Sequence, residues 1–321
     1  MAIPLIDFAA FGDAAARPGL AANIDAACRA AGFFCLFNHG IPQHIIDASF
    51  AAAADFFALP DAEKEKISIA KSPCHRGWYR IGEEVLDPVD NSDGDFKEGV
   101  KIGFDCPPDH PRRQAGIALH GPNQWPDING WQEVMQQAYQ SCSALSRQIM
   151  QVLAMGLSLP DTFFDKWLIE PMATLSPIRY PPQYQQNQIG AGAHTDFGCL
   201  TLLFQRDIAG LEIQGKDGSW IDVPADPTMV VVNIGDMMAR WTNDIYTSTR
   251  HRVINRAGQP RQSLAFFFDP DPDADLTALP SCLAPGDRPR YAPTTALAHL
   301  LEKIDASFSY RKDDKDCVTN A

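Results

Sequence analysis

Between Thr174 and Asp269 the chain is a series of short runs rich in apolar and β-branched residues. They are TLSPIRY (174–180), CLTLLFQ (199–205), LEIQ (211–214), SWIDV (219–223), MVVVNI (229–234), TSTRHRVI (247–254) and RQSLAFFFD (261–269). Turn-forming residues separate them: Gly210, Lys216-Asp217-Gly218, Pro224, Gly235-Asp236 and Gly258. Runs this short, evenly spaced and without helical period, predict an all-β sandwich or barrel, of which the double-sheet jelly roll is one solution.

Upstream the period changes. Leu20 to Ala30 is an Ala-rich helical stretch closed by Ala31-Gly32, followed by the apolar run Phe33–Phe37 and the turn Asn38-His39-Gly40. Pro42 opens a second helix through Phe57, and Asp61 caps a short charged one. Residues 71–128 are punctuated by prolines at 73, 88, 107, 108, 111, 122 and 126, and read as loop. From Trp131 to Met155, apolar residues such as Val134, Ala138, Cys142, Leu145 and Ile149 recur at three- and four-residue steps, which predicts a long amphipathic helix. Pro293 opens a last helix through about Phe308. With no repeat and no long linker, 1–321 is expected to be one domain. Its parts are 1–128 (helix, strand and loop), 129–170 (buttressing helices), 171–270 (most of the β core) and 271–321 (C-terminal helix and tail).

Composition removes several function classes. With 27 Lys+Arg against 40 Asp+Glu the net charge is -13, and no basic stripe overrides it, so a phosphate backbone is repelled and nucleic acid is not an expected partner. No apolar run reaches the ~18 residues of a membrane span. Met1 to Phe8 contain Asp7 and no basic n-region, so no signal peptide is expected and the cytoplasm is. The eight cysteines, at 28, 35, 74, 106, 142, 199, 282 and 317, form no C-x-x-C pair; they are expected reduced and mostly buried.

The residues that carry chemistry lie in the β-rich part. His39 follows a strand in a turn. His44, His75, His110, His120 and His299 have no partner at ligand spacing, so exposed or capping roles are expected for all six. His194-Thr195-Asp196 differs, because side chains at i and i+2 of an extended chain point to one face. His251 follows within the run 247–254. Two imidazoles and one carboxylate leave three positions open on an octahedral metal, the facial triad of non-haem Fe(II) oxygenases; ligand types alone leave zinc open as well. Arg261 and Ser263 share a face at the start of the last run, and a guanidinium beside a hydroxyl is a good carboxylate receptor. Phe197, directly after Asp196, and Phe267, on the face of Arg261 and Ser263, are candidates to line a substrate pocket.

In its motifs the sequence resembles the isopenicillin N synthase-like family of Fe(II)/2-oxoglutarate-dependent oxygenases. The matches run nearly end to end: Ile3-Pro4-Leu5-Ile6-Asp7, Gly32-Phe33-Phe34 with Asn38-His39-Gly40, Arg76-Gly77-Trp78 with Gly82-Glu83, and Asp95-Phe96-Lys97-Glu98. They continue through Pro177-Ile178-Arg179-Tyr180-Pro181-Pro182, His194-Thr195-Asp196-Phe197-Gly198, Asn233-Ile234-Gly235-Asp236, Ser248-Thr249-Arg250-His251-Arg252-Val253 and Arg261-Gln262-Ser263.

The resemblance implies a mainly β fold with flanking helices: a double-stranded β-helix (jelly-roll) core buttressed by the N-terminal and long central helices. It implies Fe(II) bound by His194, Asp196 and His251, and 2-oxoglutarate as co-substrate held by Arg261, Ser263 and Tyr180, with O2 as oxidant. The reaction it implies is oxidation of a small-molecule metabolite, hydroxylation by default, with desaturation and ring closure as further outcomes. Residues 71–105, with Arg76, Trp78 and Tyr79, would lie at the mouth of the barrel as a lid, Arg76 and Tyr79 lining the substrate side. Three alternatives share these residues: a 2-oxoglutarate-independent non-haem iron oxidase, a non-catalytic jelly-roll binding module, and a zinc hydrolase. Oligomeric state leaves no sign in the sequence.

Overall fold

The computed structural model describes residues 3–183, 188–308, 310 and 311; Cys317 lies outside them. Among the described residues there are twelve strands: β1 (Leu5–Asp7), β2 (Phe33–Phe37), β3 (Gly77–Tyr79), β4 (Glu98–Gly103), β5 (Met172–Tyr180), β6 (Ala191–His194), β7 (Leu200–Gln205), β8 (Leu211–Gln214), β9 (Trp220–Asp222), β10 (Val230–Ile234), β11 (His251–Val253) and β12 (Arg261–Asp269). The α-helices are α1 (Arg17–Ala30), α2 (Gln43–Phe57), α3 (Asp61–Lys64), α4 (Pro111–Gln114), α5 (Trp131–Gly156), α6 (Asp236–Trp241) and α7 (Ala296–Ser307).

Two sheets face each other. The major sheet has the order β1-β2-β10-β7-β12-β5-β4-β3, and the minor sheet β6-β11-β8-β9. Strand β12 organises the major sheet, paired antiparallel along its whole length with β5 (Arg261 opposite Tyr180, Asp269 opposite Met172) and along most of it with β7. Alternation along β12 then sorts its side chains. Leu264, Phe266 and Phe268 join the large core on the helical side. Ala265 and Phe267 join a second core between the sheets, with Ile178, Val231, Ile213 and Val253. A slip of one residue would send Arg261 and Ser263 to the helical side, so the buried pattern itself fixes the register of the site.

Helices α1, α2 and α5 cover the outer face of the major sheet. Helix α5 buries Met135, Ala138, Cys142, Leu145 and Ile149 at three- and four-residue steps, and α1 and α2 pack against it. Fully burying each Leu or Met side chain contributes about 1.5–3 kcal/mol, so this stripe, rather than helix propensity, holds α5 in place. Its last turn lies against Tyr246, whose hydroxyl donates to Asp25 of α1 at 3.0 Å.

Several expectations need correction. Residues 71–105 are not loop throughout, because β3 and β4 within them extend the major sheet, β4 pairing with β5. Strand β4 is buried along its whole length, so it lacks the alternation that marks a strand in sequence. Strand β6 also gives no sequence signal, since Ala191, Gly192 and Ala193 carry no β-forming side chains. The run 247–254 gives only a three-residue strand: Ser248 donates to Asp236 and Thr249 to the Ala31 carbonyl. Pro60, not Asp61, occupies the N-cap of α3. His39, His75 and His299 are buried rather than exposed. His110 does cap a helix, its Nδ1 accepting from the Arg112 amide. The seven described cysteines are free and buried. No helix among the described residues is long and apolar enough to cross a membrane.

Candidate metal and co-substrate site

Sheet pairing brings the triad together. His194 ends β6 and His251 begins β11, and the two are direct partners in the antiparallel register. Directly opposite side chains share one face, and the two ring centroids are 4.3 Å apart. Asp196 lies two residues past the end of β6, where its carbonyl accepts from the Asp236 amide at 2.7 Å. That turn needs Gly235, since a Cβ there would come within 2.3 Å of the Gly198 carbonyl oxygen. The Oδ1 of Asp196 is 3.6 Å from Nε2 of His194 and 3.5 Å from Nε2 of His251.

The outer atoms of the trio are already engaged. His194 Nδ1 lies 2.7 Å from the Gly192 carbonyl and His251 Nδ1 3.1 Å from that of Thr249. A carbonyl oxygen only accepts, so both Nδ1 atoms carry a proton, and both Nε2 atoms face the centre, where they can offer lone pairs to a metal ion once deprotonated. Asp196 Oδ2 accepts from Thr201 Oγ1 and Asn233 Nδ2, each at 2.6 Å. Burial opposes the charge on Asp196, but until a metal binds the protonated imidazoles of His251 and His194 outweigh it and hold its carboxyl well below the usual range. Three ligand atoms within 4.8 Å of one another therefore converge with their other sides anchored. That is the donor set and outer support that a divalent iron site requires.

A second group lies farther along the same β core. Arg261, 1% exposed, donates from Nη2 to Gln205 Oε1 at 2.8 Å. Its Nε and Nη1, and the hydroxyl of Ser263, are buried without a hydrogen-bond partner. The Arg261 guanidinium carbon lies 4.7 Å from the centroid of the Tyr180 ring, its cross-strand neighbour. Unpartnered donors on a buried cation are costly unless an anion completes them, and their arrangement suits a carboxylate.

One cavity between the sheets joins these parts. His194, Asp196 and His251 line it, as do Phe197, Phe267 and Arg76. Of the second group, Tyr180 forms part of its wall, and Arg261 packs against the Tyr180 ring. Tyr79 is fully buried and does not line the cavity; its ring packs 5.4 Å from Lys101 Nζ. Residues that the sequence did not single out also line it: His75, Glu84, Lys101, Thr201 and Asp269. Asp269 accepts from the Cys199 amide at 2.8 Å, and burial pushes its carboxyl up to about 7. Glu84 is buried too, but Lys97 and Lys101 hold it down to about 2.

Two family models match the chain. Residues 3–128 match the N-terminal region described as non-haem dioxygenase in morphine synthesis, and residues 171–270 match the 2OG-Fe(II) oxygenase superfamily. The chain belongs to the 2OG-Fe(II) oxygenase superfamily. The oxygenase is 36% identical over 303 residues to the 2-oxoglutarate-Fe(II) type oxidoreductase hxnY of Emericella nidulans, covering 91% of this chain and 86% of that protein. It is 34% identical to a homoarginine-6-hydroxylase of Arabidopsis thaliana, covering 89% of each. Among solved structures, a full-length Neurospora crassa protein in complex with alpha-KG superposes with a TM-score of 0.84 at 30% identity, over 95% of this chain and 96% of that one. The isopenicillin N synthase-like resemblance and the double-stranded β-helix core are therefore correct. The oxygenase uses Fe(II), 2-oxoglutarate and O2 and acts on a small molecule; its relatives do not favour the alternatives of a 2-oxoglutarate-independent oxidase, a binding module or a zinc hydrolase.

Proposed function

We propose that His194, Asp196 and His251 ligate the Fe(II), that Arg261, Ser263 and Tyr180 hold the distal carboxylate of 2-oxoglutarate, and that the reaction is hydroxylation of a small metabolite in the cytoplasm. The observation that carries this reading is the pair of incomplete groups on one β core: three anchored donors with free inner atoms, and a buried guanidinium and hydroxyl without partners. Each group is complete only with a ligand bound. The iron, when bound, activates O2 for the oxidative decarboxylation of 2-oxoglutarate to succinate and CO2 and for attack on a substrate C–H bond.

The chain's own contribution is placement. The Gly192 and Thr249 carbonyls fix the imidazole tautomers, and Thr201 with Asn233 fixes the carboxylate, so the donors need little reorganisation when a metal arrives. Arg261 and Ser263 orient the co-substrate by its far end. Phe197 and Phe267 form apolar wall beside the reacting centre and exclude water from it. The cytoplasmic placement draws support from the free, buried cysteines, and the region 1–321 is taken as one oxygenase domain. Purified protein supplied with Fe(II), 2-oxoglutarate and O2 is expected to release succinate faster when the right member of a metabolite panel is added. No stimulation of succinate release by any small metabolite, with 2-oxoglutarate bound, would count against hydroxylation of such a molecule.

A further inference from the structure

The cavity wall built by the segment around β3 and β4 holds a buried cation without a direct ion-pair partner and a second one only loosely paired. Arg76 is buried and lines the cavity. Its Nη1 donates to the carbonyls of Cys74 and His75, both at 3.2 Å, and its Nη2 to that of Leu119 at 2.9 Å. Its Nε has no partner. All its acceptors are neutral, so the hydrogen bonds are largely met while the charge is not. The guanidinium lies directly on the backbone of Gly103 in β4, where a Cβ would approach Nη2 to 2.0 Å. Bare backbone is what lets the cation sit there.

Lys101, also on β4 and lining the same cavity, is little better paired. Its contact with Glu84 is 3.9 Å, and that carboxylate already has Lys97 at 2.9 Å. Lys97 in turn contacts Asp95 at 2.7 Å. Two lysines and two carboxylates are matched, which leaves Arg76 as a buried cation with no carboxylate in direct contact among the described residues; Asp105 acts on it only from farther away. His75 beside them offers no negative charge, and burial with Lys101 and Arg76 nearby keeps its imidazole neutral. Around Lys101 the surroundings are aromatic: the Phe267 ring centroid is 5.1 Å from Nζ and that of Phe308 5.9 Å. Leu119 and Met172 add apolar wall.

An ion taken from water without a counter-charge remains costly even after the protein relaxes around it. A wall that retains such a cation beside an apolar cavity is suited to receive its counter-charge from a ligand. We propose that this wall recognises the substrate, and that the substrate is a small aromatic or apolar molecule bearing one carboxylate. The carboxylate would pair with Arg76 and Lys101 while the apolar body lies against Phe267 and Phe308. The inference rests on the oxygenase reading above, since it places this molecule in the cavity that His194, Asp196 and His251 line.

The test uses the full chain without oxygen, loaded with Fe(II) and saturating 2-oxoglutarate. Benzoate, phenylacetate and 3-phenylpropionate are each titrated by calorimetry against their neutral amides, and 2-oxoglutarate binding is measured on the same samples. At least one carboxylate is expected to bind tenfold or more tightly than its amide, without displacing 2-oxoglutarate. Arg76→Gln and Lys101→Met should each reduce that preference while 2-oxoglutarate affinity stays. The wild-type ratio and the Lys101 variant remain decisive if Arg76→Gln folds poorly. No carboxylate preference in the wild type, a preference that survives in the soluble variants, or displacement of 2-oxoglutarate by the probe would overturn the proposal. Failure of 2-oxoglutarate itself to bind the wild type would instead strike the oxygenase reading.

Discussion

His194 and His251 face each other across the β6–β11 pair with ring centroids 4.3 Å apart, and Asp196 Oδ1 lies within 3.6 Å of both Nε2 atoms. Sheet register thus sets the distance between two of the donors. The third depends on a turn, and on the two hydrogen bonds to its outer oxygen.

Removing those bonds should weaken the metal site without touching a ligand. Thr201→Val and Asn233→Leu each free Asp196 Oδ2 from one donor. Loss of such outer support typically lowers metal affinity by about 10–100-fold. Competition with a chelator should show that loss for each variant; unchanged iron affinity in both would mean that the carboxylate is held by something else.

Arg261→Ala should weaken 2-oxoglutarate binding by roughly 2–5 kcal/mol, the range for truncating one partner of a buried charge pair. Iron affinity should change little, because Arg261 contacts none of the three donors. Calorimetric titration of 2-oxoglutarate without oxygen checks both statements. An unaltered affinity would place the anchor elsewhere.

Asp269 predicts a pH-dependent stability difference. Burial raises its carboxyl to about 7, so the folded chain binds this proton more tightly than the unfolded chain does. Its contribution is present at acid pH and is lost as the pH rises between about 4 and 7. Asp269→Asn keeps an acceptor for the Cys199 amide and has no charge to bury. Relative to wild type, the metal-free variant should gain Tm between pH 5 and pH 8. A Tm difference that is flat across that range would mean that Asp269 titrates normally.

Gly103→Ala should act on Arg76 alone. The added Cβ meets the end of a flexible side chain, so the fold tolerates it, but the guanidinium must leave its place and with it the Leu119 carbonyl. Loss of one hydrogen bond to a charged group costs about 1.5–3 kcal/mol. Chemical denaturation should report a loss of that order, with iron and 2-oxoglutarate binding unaffected. A wild-type stability would show that Arg76 keeps its bonds by another path.

The β core was legible because its strands are either apolar runs or alternate, and because Gly, Pro and Asp-Gly punctuate them. RQSLAFFFD was readable to the residue, since one face carries Arg261 and Ser263 while the other carries Leu264, Phe266 and Phe268. The triad was legible for a similar reason: H-x-D at a strand end keeps two ligand types together. What escaped was the strand structure of β3 and β4, beside which Arg76 lies. Proline and glycine around it signal loop, and Val100 and Ile102 face the helices while Lys101 faces the cavity, so β4 is buried on both sides. Its lysine carries no motif that marks it. Thr201 and Asn233 lay in quoted or strand-like segments, but nothing in their identity marks a hydroxyl or an amide as the support of a carboxylate elsewhere in the chain.

The most direct measurement is iron stoichiometry and 2-oxoglutarate binding, taken together, on the wild type and on His251→Ala. The wild type should bind one Fe(II) per chain and take up 2-oxoglutarate in an iron-dependent way, and the variant should lose iron and succinate formation together. Iron stoichiometry left intact in His251→Ala would contradict the assignment of His194, Asp196 and His251 as the metal site.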